Sequence, residues 1–175
     1  MKKSLPSPPN PFRALGRALL TALLITPLLL SAGGCRSTPK PGELCTQKGC
    51  DDGLRIEFQT AKWEVGSYAF RVEADGKHTL CKSVFPLMPC NIGRSVQCTG
   101  DPNAAVYESG CGVEAEKQSF SEVHFQSHPK QVKVTVLRDD VQIAEQSFKP
   151  TYTVTQPNGP NCEPTCHQAK ETLKL

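Results

Sequence analysis

Gln131-Val132-Lys133-Val134-Thr135-Val136-Leu137-Arg138 is the stretch that decides the fold class. Val132, Val134 and Val136 recur at every second position, which on an extended chain puts all three on one face. Valine, branched at Cβ, suits a pleated, half-buried surface better than a helix. Asp139-Asp140 follows as a turn, and Val141 to Phe148 runs back beside the first strand. A hairpin therefore occupies 131–148.

The same alternation extends outward from this hairpin. Leu54, Ile56 and Phe58 share one face of 53–59, and Tyr68, Phe70 and Val72 share one face of 67–73. Asp75-Gly76 then supplies a two-residue hairpin turn, because glycine accepts the positive φ that a type I′ turn demands. The return strand is Lys77 to Phe85, stopped by Pro86. Phe120 to Gln126 alternates imperfectly, the mark of a bulge. Thr151 to Thr155 resumes after Pro150, and the tail, Ala169 to Leu175, reads as a closing strand through Leu173 and Leu175, with a short helix as the alternative. The irregular middle, Pro86 to Val113, is rich in proline and glycine, and only Ser95 to Thr99 has strand character. Seven or eight short strands with few helical signals predict an all-β chain: an antiparallel, immunoglobulin-like β-sandwich. Trp63 lies between the first two strands, outside the Cys…Trp…Cys spacing of antibody domains.

Cysteine is the strongest signal in the composition. Cys45, Cys50, Cys81, Cys90, Cys98, Cys111, Cys162 and Cys166 all follow Cys35. An even number in an exported domain reads as a disulfide framework that staples the sandwich. Eight cysteines permit 105 pairings. Cys45 and Cys50 precede the whole strand set and Cys162 and Cys166 lie near its end, so one reading is a clasp that joins the first and last strands. The other is two local bonds, 45–50 and 162–166.

Export itself is read from the first residues. Lys2, Lys3, Arg13 and Arg17 precede and flank the start of an apolar run from Ala18 to Leu30, interrupted by Pro27. That run is too short to span a bilayer, which takes about 20 residues, and fits the apolar region of a signal peptide. Leu28-Leu29-Leu30-Ser31-Ala32-Gly33-Gly34-Cys35 resembles the lipobox of bacterial lipoprotein precursors, with Ala32 where that pattern prefers leucine. The resemblance implies a signal peptide at 1–34 that is removed, a lipid-anchored Cys35, a tether at 35–44 and a domain at 45–175. An ordinary secretory signal cut near Gly34 is the rival; it leaves Cys35 as an odd thiol in an exported protein. Arg36, where aspartate would favour retention in the inner membrane, implies an outer-membrane address in the cell envelope. Without the leader 141 of the 175 residues remain, and 16 Lys and Arg stand against 17 Asp and Glu. No clustered excess of Lys and Arg marks a nucleic-acid surface.

Cys45-x4-Cys50-Asp51-Asp52-Gly53, Phe148-Lys149-Pro150-Thr151-Tyr152 and Pro157-Asn158-Gly159-Pro160-Asn161-Cys162-x3-Cys166 together resemble a group of bacterial secreted lipoproteins of unassigned function. The resemblance implies an exported, disulfide-rich β domain and brings no activity with it.

Cys162-x3-Cys166-His167, with His124 and His128, has zinc-ligand character, but export favours oxidation of the thiols and no metal is expected. Asp51-Asp52-Gly53, Asp101-Pro102-Asn103 and Asp139-Asp140 are too sparse in oxygens for calcium and read as turns. No Gly-x-Ser-x-Gly elbow, His-Glu-x-x-His helix or phosphate-binding glycine loop is present. The expectation is a binding or structural module that meets an envelope protein or glycan, without catalytic residues or cofactor. An envelope enzyme or enzyme inhibitor with its site in 86–113 is the alternative.

Overall fold

The computed structural model describes residues 44–175; the leader, Cys35 and the tether up to residue 43 lie outside the described residues. Ten strands occur: β1 (Gly53–Gln59), β2 (Gly66–Ala74), β3 (Lys77–Phe85), β4 (Gln97–Gly100), β5 (Ala104–Ser109), β6 (Ser119–Phe125), β7 (Val132–Arg138), β8 (Val141–Phe148), β9 (Thr153–Thr155) and β10 (Cys166–Lys174). They form two five-stranded sheets, ordered β5-β6-β1-β10-β9 and β4-β3-β2-β7-β8. The only helical element among the described residues is a 3-10 turn at Ala115–Lys117.

The second sheet is built from hairpins that local chemistry closes. Asp75 and Gly76 both have positive φ, 48° and 79°, as do Asp139 and Asp140, 50° and 64°. Paired positive values are what a two-residue turn needs to match the right-handed twist of its strands. The Asp75 carboxylate also accepts the backbone N–H groups of Lys130 and Gln131, tying the β2–β3 turn to the start of β7. Tyr68, Phe70, Val72, Val132, Val134 and Val136 are buried, and Leu54, Ile56 and Leu173 from the first sheet face them across one core. Phe120 sits at its aromatic centre, 4.9 Å from the Trp63 ring at 90° and 5.0 Å from Phe70.

Two expectations need correction. The strand count of seven or eight is low: ten form, among them β5, which lies hidden in the irregular middle. The sheets are also not wholly antiparallel: β1 pairs in parallel with β10, from Gly53 opposite Gln168 to Gln59 opposite Lys174. The reason is visible in the disulfides. Cys45 bonds Cys162 and Cys50 bonds Cys166, so the segments that lead into β1 and β10 are joined and both strands leave from the same end. The tail is a strand, longer than the reading from Ala169 onward. The irregularity at Phe120 to Gln126 is a bulge: Glu122 faces Tyr107 while Phe120 faces Glu108, so Ser121 is the extra residue and Phe120 and Val123 can both point inward.

The other two bonds staple the middle. Cys81 and Cys98 are directly opposed on β3 and β4, and Cys90–Cys111 ties the β3–β4 loop to the turn after β5. No disulfide among the described residues crosses the core from sheet to sheet as in antibody domains.

The clasp has a distinctive energetic signature. Either bond alone closes a loop of more than 100 residues, which in the chain-entropy picture stabilises by about 5 kcal/mol. Once one is present, the second closes only a ring of roughly eleven residues, for about 3 kcal/mol. Replacing either pair by serines is therefore expected to cost about 3 kcal/mol in denaturant unfolding and replacing both about 8 kcal/mol, more than the two single losses added. Simple additivity would mean that the bonds do not close the same loop.

Candidate functional site

The clasp end of the sandwich gathers a carboxylate and two imidazoles close together. β1 can start there only because residue 53 is glycine: φ is +112°, and a Cβ would lie 2.0 Å from the Phe125 carbonyl oxygen. β1 thus presses against the end of β6, and Asp52 is brought to the loop that follows β6. His128 of that loop places Nε2 3.0 Å from Asp52 Oδ1. The backbone N–H of His167, next to Cys166 on β10, donates to the same oxygen at 2.6 Å. The His128 and His167 rings lie 5.2 Å apart, so Asp52, His128 and His167 form one exposed cluster. The His167 N–H, and after it the His128 ring, hold the Asp52 carboxyl below the ordinary aspartate range.

Tyr152 flanks this cluster. Its ring meets the His128 ring edge-on at 5.3 Å, and its hydroxyl donates to the Pro129 carbonyl at 2.9 Å. Burial, with a smaller contribution from the negative charge of Asp75, pushes its phenol up to about 12.

Behind the cluster, Asn158 locks the Pro157–Asn161 loop to the first residues of the domain. Its Oδ1 accepts from Thr46 Oγ1 at 2.6 Å and Lys48 N–H at 2.8 Å, while Nδ2 donates to the carbonyls of Lys48 and Glu163 at 2.9 and 2.7 Å. The side chain is buried and all four of its hydrogen-bonding positions are used. The motif singled out in the sequence therefore has a structural role, and its central residue is Asn158.

The zinc reading of the sequence is only partly reflected here. Cys162 and Cys166 are consumed by disulfides, and His124 instead packs its ring against Tyr107 at 5.6 Å. His128 and His167 do meet, but with a carboxylate and not with thiols. The turn reading of Asp51-Asp52-Gly53 does not reach the contacts that Asp52 makes with His128 and His167. Taking the clasp literally finds part of it, since Asp52 follows Cys50 by two residues and His167 follows Cys166 by one.

The 86–113 region concentrates no comparable set. Its polar groups hold its own backbone: the Glu108 carboxylate accepts from Ser95 N–H and Val96 N–H, Ser95 Oγ accepts from Met88 N–H, and Gln118 Oε1 accepts from Leu87 N–H. Asp101 is occupied by Asn103 and an ion pair to Lys77. Elsewhere, the outer face of the second sheet forms an open concavity of ≈ 590 Å³ lined by groups of both signs, among them Arg71, Glu73, His78, Lys133 and Glu145. No protein-family model, curated protein or solved structure matches the chain.

Two outcomes follow from the clasp-end geometry. Asn158→Ala removes the four hydrogen bonds of a buried side chain, so a loss of about 2–4 kcal/mol is expected in denaturant unfolding; a change within about 0.5 kcal/mol would show that water replaces them. For Tyr152, an acid whose folded value lies above its unfolded value near 10, the contribution to stability is complete below about pH 10 and lost as pH rises towards 12. In a rapid alkaline titration followed by phenolate absorbance, Tyr152→Phe should remove a transition near pH 12.

Proposed function

We propose that the chain is an exported lipoprotein, held in the cell envelope by a lipid on Cys35, with an outer-membrane address. Its disulfide-clasped, immunoglobulin-like β-sandwich serves as a binding or structural module, meets an envelope protein or glycan, and has no catalytic activity. One observation carries the reading: all eight cysteines after Cys35 are paired in four disulfides. Such bonds persist outside the reducing cytoplasm, and a fold that uses eight cysteines in pairs has no partner left for the ninth. Lipidation gives Cys35 a use.

The surfaces favour docking over chemistry. The outer face of the second sheet is an open concavity that carries paired charges: Lys133 Nζ lies 2.9 Å from Glu145 Oε1, and Thr135 Oγ1 donates to Glu145 Oε2. Lys133 and then Thr135 hold the Glu145 carboxyl below its ordinary value, so it stays ionised. Fixed charges of both signs on a pleated surface suit recognition of a polar partner. The alternative site in 86–113 would need free convergent groups, and its carboxylates are occupied as described above.

The test is Cys35→Ser in the native host, followed by fractionation and labelling with a fatty-acid analogue. The unaltered chain is expected to carry the label in the membrane fraction. The variant should lose the label, move to the soluble envelope fraction and retain its four disulfides and its melting temperature. A variant that stays membrane-bound, or that misfolds after export, sinks this division of labour.

A further inference from the structure

Asp52, His128 and His167 each present one ligand atom within 4.8 Å of the other two, and all three side chains are exposed. We infer that this cluster is a binding site for a divalent first-row transition ion of the zinc–copper class, held by two imidazoles and one carboxylate with positions left open to solvent.

The donor set selects the ion. Imidazole suits zinc, copper, nickel and iron, whereas calcium and magnesium take oxygen ligands, and only one carboxylate is present. Two histidines and one carboxylate are also the protein ligands of an open zinc site, in which water completes the shell. The spacing is within reach. Two ligand atoms about 2.1 Å from a shared ion lie roughly 3.4 Å apart in a tetrahedral shell. Asp52 Oδ1 and His128 Nε2 already stand 3.0 Å apart. The remaining closure falls to exposed side chains, which turn without disturbing the core.

The framework is prepared in advance, which separates this cluster from a chance meeting of surface residues. The Cys50–Cys166 bond joins the two segments that carry Asp52 and His167. The parallel pairing that begins at Gly53 and Gln168 fixes their register. Asp52 is oriented by the backbone N–H of His167, the kind of supporting hydrogen bond that metal-ligating carboxylates have. Tyr152 packs edge-on against the His128 ring and restrains its rotation. None of this depends on whether Cys35 is lipidated, and the site stands equally in a domain that is simply secreted.

The experiment uses the full-length chain, disulfides intact and without a polyhistidine tag, titrated with Zn²⁺ by calorimetry at neutral pH. One saturable ion per chain is expected. His128→Ala and His167→Ala should each weaken binding at least ~10-fold, Asp52→Asn should weaken it by a similar factor, and His78→Ala on the opposite sheet should leave it unchanged. With Cu²⁺ in place of Zn²⁺, electron paramagnetic resonance should show nitrogen coupling from two imidazoles in the parent and from one in His167→Ala. Absence of a saturable site in the parent, or Zn²⁺ binding undiminished in the His128→Ala, His167→Ala double variant, would overturn the assignment. Circular dichroism of each variant separates lost ligands from lost folding.

Discussion

The constraint on which this structure depends is the covalent joining of the segments that precede its first and last strands. β1 and β10 are separated by more than 100 residues, and bringing such distant segments together carries a loop-closure entropy that grows with the logarithm of the separation. β1 is also the central strand of its sheet, with β6 on one side and β10 on the other. If β10 fails to dock, Leu173 leaves the core and β9 loses its neighbour. The two clasp bonds lower the entropy of the unfolded chain in which that docking would have to be found. They also dictate its direction, because strands that leave one joined end must run parallel. At the far end the Leu175 N–H donates to the Gln59 carbonyl at 3.0 Å and completes the pairing.

The polar network at this end is subordinate to the clasp but not redundant with it. A disulfide fixes separation and leaves torsional freedom; Asn158 removes that freedom by meeting four partner groups on two segments, 46–48 and Glu163. Gly53 has the complementary role of permission, since its missing Cβ lets the β1 backbone approach the Phe125 carbonyl. The covalent bond, the satisfied amide and the close backbone contact each constrain a different motion, and together they hold Asp52 and His167 side by side.

What was legible in the sequence was local. The β2–β3 and β7–β8 hairpins could be read because alternation and turn chemistry lie within a few residues of each other: Asp75-Gly76 and Asp139-Asp140 adopt the φ values their positions require. β5 was not legible. Ala104-Ala105-Val106-Tyr107-Glu108-Ser109 offers two small residues and one buried valine amid glycine and proline, and it becomes a strand by pairing with β6, a tertiary effect. The bulge at Ser121 could be suspected from the broken alternation of Phe120 and Val123, but its position depends on the partner strand. The parallel β1–β10 pair and the Asp52–His128–His167 cluster have no local signature, because their members meet only through the topology. The cysteine spacing was the one long-range signal in the chain, and it pointed to the right end of the molecule.

Disulfide bonding also changes what kind of site such a domain can build. In a reducing compartment, two cysteines four positions apart with a histidine beside them would serve as metal ligands, because thiolates bind zinc strongly. Here the same cysteines are oxidised and unavailable, so any cation site must draw on imidazole and carboxylate groups. Imidazole and carboxylate side chains on loops adopt many rotamers, and their affinity for an ion falls with the entropy lost in gathering them. A disulfide within two residues of Asp52 and one residue of His167 removes much of that backbone freedom before any ion arrives. The clasp therefore contributes twice: it makes the terminal strands neighbours, and in doing so it sets Asp52 and His167 side by side as a preorganised pair of donors beside His128.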